Sequence, residues 1–189
     1  MKHIAKIYIL FTLLILANCE PQWEEPYKVY KIEKGTHAPI IPKVGSMQSD
    51  VLIFNAIFDE SAMYQTLTEE NQHDINKLMG FSDCNAIHHD NSARFGWRWL
   101  EEKLEIHAYC YVNSERITEL IGTVDFNEKV NYTLQLTDNQ YIFQINDEQP
   151  VFISRGDLCE IGIYYMLYPY FGGNEVAPQD ISIQIQTLY

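Results

Sequence analysis

The stretch from His88 to Tyr111 constrains the chain more than any other. It reads His-His-Asp-Asn-Ser-Ala-Arg-Phe-Gly-Trp-Arg-Trp, then a short polar turn, then Leu-Glu-Ile-His-Ala-Tyr-Cys-Tyr. Both halves alternate with a period of two, the mark of a pleated strand whose successive side chains leave opposite faces. Phe95, Trp97 and Trp99 take one face, while Arg94 and Arg98 take the other, across a small Gly96. Leu104, Ile106, Ala108 and Cys110 likewise share a face, with Glu105, His107, Tyr109 and Tyr111 on the opposite one. Joined as a hairpin, the oily faces enter a core. The polar faces form a patch of Arg, His, Glu and Tyr.

Strand signals recur on either side. Residues 27–37 alternate and stop at Gly35, residues 38–49 are punctuated by Pro and Gly, and residues 51–58 form an apolar run suited to a buried strand. Further strands are predicted over 116–124, 132–137, 141–146, 151–154, 159–168 and 180–188, with tight turns at Asp138-Asn139 and Asn146-Asp147. One helix is predicted, over 68–79. Thr68 would cap it, Glu69 and Glu70 suit the positive end of its dipole, and Gly80 would close it. Its apolar residues Ile75, Leu78 and Met79 make a narrow stripe, so it would lie on the surface. Residues 81–91 read as a polar loop. Many short strands with a single helix, and no alternation of strand and helix, describe an all-β antiparallel sandwich.

The N-terminus carries a different message. Lys2 and Lys6 precede an apolar run from Ile7 to Leu16, and Leu16-Ala17-Asn18-Cys19 follows. A basic start and a short apolar run describe a secretory signal, shorter than the ~20 residues a membrane span requires. Residues 20–26, Glu-Pro-Gln-Trp-Glu-Glu-Pro, read as an extended acidic tether. The remaining residues, 27–189, fit one domain long enough to bury a core without staples.

Removing residues 1–18 takes two lysines and no acid from a chain of net charge −13, leaving −15. Such a chain is a poor match for nucleic acid, which needs Lys and Arg to neutralise phosphates. With Cys19 set aside, Cys84, Cys110 and Cys159 permit one intramolecular disulfide, and their spacing does not choose the pair. No Cys-x-x-Cys is present for zinc or redox work. Cys110, on an apolar strand face, reads as a small buried residue.

Three stretches resemble known families. Leu16-Ala17-Asn18-Cys19 resembles a bacterial lipobox, with Asn18 in place of the usual small residue, and the acids after it resemble the surface-export signals of Bacteroidetes-type lipoproteins. The resemblance implies an acylated Cys19, a bilayer partner, and a place in the cell envelope as an outer-membrane lipoprotein on the surface. Tyr132-Thr-Leu-Gln-Leu with Tyr141-Ile-Phe-Gln-Ile-Asn146 resembles the paired strands of concanavalin A-like jelly rolls. The segment Leu167-Tyr-Pro-Tyr-Phe-Gly-Gly-Asn-Glu-Val-Ala-Pro-Gln-Asp180 is similar to the Phe-Gly-Gly…Ala-Pro…Asp stretch before the last strand of polysaccharide-lyase jelly rolls. These imply a jelly-roll sandwich. They imply no activity, because the fold carries lectins, glycosidases, lyases and inert modules alike. The acid cluster Glu-x-Asp-x-x-Glu of retaining glucanases is absent, as are the alginate-lyase-like motifs Arg-x-Glu-x-Arg, Gln-x-His and Tyr-x-Lys-x-Gly-x-Tyr. Glu105-Ile-His107 occupies a slot reminiscent of Gln-x-His.

The polar face of the central hairpin is the candidate site. Arg94 and Arg98 can hold carboxylates of an acidic glycan, and Tyr109 and Tyr111 offer rings for stacking on sugars, with Tyr168 and Tyr170 bordering the same surface. Glu105 and His107 complete the set. The expected function is a carbohydrate-binding module on a lipid-anchored chain. A rival is a polysaccharide lyase in which Arg98 neutralises a uronate carboxylate, His107 is the base and Tyr109 the acid. A second rival is a structural or adhesion lipoprotein that binds another protein. No cofactor is required; Asp83, Asn85 and Asp90 are the oxygen ligands that calcium would use. The Asn131-Tyr-Thr133 sequon carries no weight in a bacterial lipoprotein.

Overall fold

The computed structural model describes residues 25–40, 45–156 and 164–188. The expected signal sequence, Cys19, most of the expected acidic tether and Cys159 lie outside them. Two six-stranded antiparallel sheets make a sandwich. The first runs β1 (Lys28–Ile32), β12 (Ile181–Leu188), β3 (Val51–Phe58), β8 (Val130–Leu136), β9 (Gln140–Ile145), β10 (Val151–Ser154). The second runs β2 (Ser46–Met47), β11 (Tyr164–Leu167), β4 (Asn76–Ser82), β5 (Ser92–Leu100), β6 (Lys103–Val112), β7 (Glu115–Val124).

The alternation read from the sequence is the alternation of burial. Phe95, Trp97, Leu104, Ile106, Ala108 and Cys110 all point inward and are buried. They meet Phe54, Phe58, Tyr132 and Phe143 of the first sheet. Phe54 stacks on Tyr132 at 4.9 Å, and Phe95 sets its edge against Tyr132 at 5.0 Å and Phe143 at 5.1 Å. Rings at these separations add to an area term of roughly 1.5–3 kcal/mol for each large side chain taken from water. Cys110 is free and buried, and Cys84 is disulfide-bonded, which removes Cys110 from the pairing.

β5 and β6 pair in one register from Ser92↔Tyr111 to Leu100↔Lys103. The turn between them is Glu101-Glu102, both residues at positive φ (49° and 58°) as a two-residue hairpin turn requires. Asn113-Ser114 does the same between β6 and β7 (50° and 68°).

The predicted helix over 68–79 is not formed. Glu69–His73 make a short 3-10 turn, and Asn76–Ser82 are strand β4 in the middle of the second sheet. The cap signals serve other ends. The Thr68 hydroxyl donates to Glu175 Oε1 at 2.6 Å rather than capping a helix, and Gly80 sits inside β4, where a Cβ would collide with Ala93 O and Arg94 Cα. Every residue of β4 is buried: Leu78, Met79 and Phe81 enter the core, while Tyr170 and Gly172 of the following loop lie against Asn76 and Lys77. A strand buried on both faces carries no period of two. A bulge at Leu78-Met79, between the pairs Lys77↔Gly96 and Gly80↔Arg94, breaks what alternation remains. Phe81 and Ser82, expected in a loop, end the same strand. Glu25, in the segment expected to be a tether, is docked: Gln186 Nε2 donates to its backbone oxygen at 2.7 Å.

Candidate functional site

The outer face of the second sheet carries an open groove of about 800 Å³. β5 and β6 supply Arg94, Arg98, Tyr109 and Tyr111, and β7 adds Arg116 and Thr118, which the register places opposite Tyr111 and Tyr109. One wall is the His73–Ile75 segment, another the loop bearing Tyr168 and Tyr170, and a third the His88-His89 pair. The expected residues Arg94, Arg98, Tyr109, Tyr111, Tyr168 and Tyr170 therefore come together. Glu105 and His107 do not line the groove.

His107 faces outward as expected, yet it is 5% exposed. Its cross-strand neighbour Gly96 lies beneath Ile75, whose Cγ2 would collide with any Cβ at that position. The His73–Ile75 segment thus roofs this part of the sheet. Glu105 Oε2 accepts from Arg98 Nε at 2.6 Å and lies 3.0 Å from His107 Nε2, while Arg98 Nη1 donates to His73 O at 2.8 Å. Burial disfavours the Glu105 carboxylate, but the bonds from Arg98 and His107 hold its pKa below the usual value. Burial also lowers the His107 pKa, against the opposing pull of Glu105. A carboxylate oxygen can only accept, so His107 donates from Nε2 to Glu105. Glu105 thus holds both side chains in place: Arg98 still lines the groove, and His107 does not.

Lys77, absent from the sequence-based site, occupies the floor. Its Nζ donates to Ile75 O at 2.8 Å and lies 4.6 Å from the centre of the Tyr109 ring, with Arg94 Cζ at 5.3 Å from the same ring. Burial, then Arg94, pushes the Lys77 pKa down to about 8. Burial lowers that of Arg94 too; burial first, and then the hydrogen bond with Tyr111, raises that of Tyr109. The paired glycines serve this floor. A Cβ on Gly172 would run into Lys77 Nζ and Ile75 O, and Gly173, at φ 82°, passes against Asp74. Lys77 and Tyr170 exchange both backbone hydrogen bonds (2.8 and 3.0 Å), and His37 stacks on Tyr170 at 5.2 Å. Tyr30 stacks on Tyr168 at 6.0 Å. Glu175 ties this loop to the 3-10 turn by accepting from Leu67 N, Thr68 N, Thr68 Oγ1 and Asn71 Nδ2. Those donors, Thr68 Oγ1 foremost, hold its pKa down to about 2.

The calcium ligands do not assemble. Asp83 is fully buried, and its Oδ1 accepts from Cys84 N and Arg155 Nη2 while Oδ2 accepts from Arg155 Nε and Tyr141 Oη, all at 2.7–2.9 Å. Asp90 instead holds Ser114 of the β6–β7 turn, and no group of three His, Cys, Asp or Glu among the described residues could hold a metal. Of the residues missed, Arg116 was legible, since any partner of Tyr111 across a two-residue turn shares its face. Lys77 was hidden by the helix expectation.

No family model matches the chain, and no curated protein matches it by sequence. Solved structures do match in shape. A non-specific endo-β-1,3(4)-glucanase of family GH16 superposes with a TM-score of 0.53 at 8% identity over 76% of this chain, which spans 58% of that enzyme. The alginate lyase AlyC3 gives 0.56 at 9% identity, covering 84% of this chain and 72% of that one. A Bacteroides ovatus GH16 protein of a mixed-linkage glucan locus, solved with an oligosaccharide product, gives 0.53 at 7%, covering 87% and 81%. At these identities the likeness is one of architecture, and the chain has the concanavalin A-like jelly-roll fold.

Proposed function

We propose that the groove on the second sheet binds carbohydrate, and that it holds its ligand without turning it over. The observation that carries this is the groove itself. Its volume of about 800 Å³ lies within the ~300–1,000 Å³ of small-molecule sites, and Tyr109, Tyr111, Tyr168 and Tyr170 border it. A tyrosine ring offers a flat apolar face to the C–H groups of a sugar and a hydroxyl to its edge. The glucanase and the alginate lyase of the same fold act on polysaccharides, which supports the same ligand class here. The lyase reading loses support because its intended base, His107, is roofed over and committed to Glu105.

Affinity electrophoresis through a panel of polysaccharide gels tests the proposal. At least one gel should retard the protein. Tyr170→Ala, which removes an exposed ring, should weaken that retardation roughly three- to tenfold. A folded protein that migrates freely through every gel would remove the carbohydrate reading and leave adhesion to another protein as the better one. The lipid anchor and the envelope location belong to the same proposal and rest on the Cys19 motif. Palmitate fed to expressing cells should label the wild type and not Cys19→Ala; label on both, or on neither, would discard the anchor.

A further inference from the structure

Resting on that carbohydrate reading, we propose that the groove floor seats one anionic substituent of the glycan, a carboxylate or a sulfate ester, between Lys77 Nζ and the Arg94 guanidinium. Lys77 is 9% exposed and Arg94 7%. Among the described residues neither lies within 4.0 Å of a carboxylate, and Arg94 Nε has no hydrogen-bond partner. Both cations rest on the ring of Tyr109, whose face offers partial compensation and no counter-charge. Two like charges held together out of water are unfavourable unless an anion joins them. The fold maintains the arrangement at several points. Gly172 leaves room for the ammonium, Gly80 lets the Arg94 backbone approach β4, and the Tyr170 backbone bridges Lys77.

Charge distribution points the same way. The whole chain has 13 Lys and Arg against 26 acids, yet Lys77, Arg94, Arg98 and Arg116 all line this groove. Asp74 is the one carboxylate among the described lining residues. Arg98 is already neutralised by Glu105, which leaves Lys77 and Arg94 as the buried pair with capacity to spare. A nucleic acid would meet the acidic remainder of the surface along most of its length, whereas a single carboxylate or sulfate on an otherwise neutral sugar would not.

Titration calorimetry on the purified protein separates the alternatives. The titrants are a polyuronate and its carboxyl-reduced form, a sulfated galactan and its desulfated form, and single-stranded DNA of equal charge. Removing the charge from the preferred glycan should cost tenfold or more in affinity, and which pair shows the loss tells carboxylate from sulfate. Lys77→Met and Arg94→Met should each reproduce a loss of that size with the melting temperature retained. Equal affinity for charged and neutral forms, or wild-type affinity in both variants, would overturn the seat while leaving carbohydrate binding intact. DNA binding as tightly as the glycan would overturn it as well. The glycan-side comparison decides the matter even where a variant fails to fold.

Discussion

Arg155 and Arg94 are almost equally buried, at 6% and 7% exposure, and they have opposite surroundings. Arg155 meets Asp83 through two nitrogens, gives a third bond to Thr137 O, and shares that carboxylate with the Tyr141 hydroxyl. Arg94 meets the face of Tyr109 and, nearby, a second cation. The first arrangement is closed: every polar atom of Asp83 is spoken for, and nothing could be added. The second is open. Burial of a charge therefore says little about its role until its partners are counted, since a satisfied pair belongs to the fold and an unsatisfied one is available to a ligand.

The largest expected effect breaks the closed side. Asp83→Ala leaves Arg155 charged, buried and unpaired and orphans the Tyr141 hydroxyl, so it should cost about 3–5 kcal/mol of unfolding free energy in a denaturant titration. Arg94→Met should leave stability unchanged or raise it by about 1 kcal/mol, because it removes a charge whose desolvation the Tyr109 ring repays only in part. A loss for Arg94→Met as large as that for Asp83→Ala would mean that the two arginines do the same structural work, and the contrast would be gone.

The closed side also shows what the sequence could tell. Asp83 read as a loop carboxylate open to calcium because its partner Arg155 lies 72 residues away, and no local pattern announces such a pair. By contrast, the β5–β6 hairpin was readable residue by residue, because alternation survives wherever one face meets the core and the other meets water. Phe95, Trp97 and the apolar residues of β6 face the core as their alternation requires, and Tyr168 and Tyr170 border the groove. β4 was lost because it is covered on both sides and bulged, while Thr68-Glu69-Glu70 and Gly80 carried helix signals that tertiary contacts redirected. With β4 went Lys77, and with Lys77 the floor of the groove. His107 was assigned the right face, but the roof of Ile75 over Gly96 comes from a separate segment before β4, which no local pattern links to β6.

The smallest effect sharpens the open side and has two signs. Burial and Arg94 push the Lys77 pKa from its ordinary 10.5 down to about 8, with Asp74 opposing and Arg116 adding to the push. Tyr109, below the ammonium, has its own pKa raised by burial and by the neighbouring Tyr111 hydroxyl. Between about pH 8 and 10.5 the unfolded chain keeps a proton on Lys77 that the folded chain has released, so this residue's contribution to stability rises with pH. Measured against Lys77→Met, which cancels the other titrating groups, the wild type should gain roughly 1–3 kcal/mol across that window. Affinity for the anionic glycan should run the other way and fall over the same range, because the neutral amine no longer attracts the anion. One lysine thus makes the empty protein firmer and the binding weaker as the solution becomes more alkaline. Stability curves of wild type and variant that stayed parallel would show Lys77 to be solvated like a surface lysine, and the contrast with Arg155 would then rest on Arg94 alone.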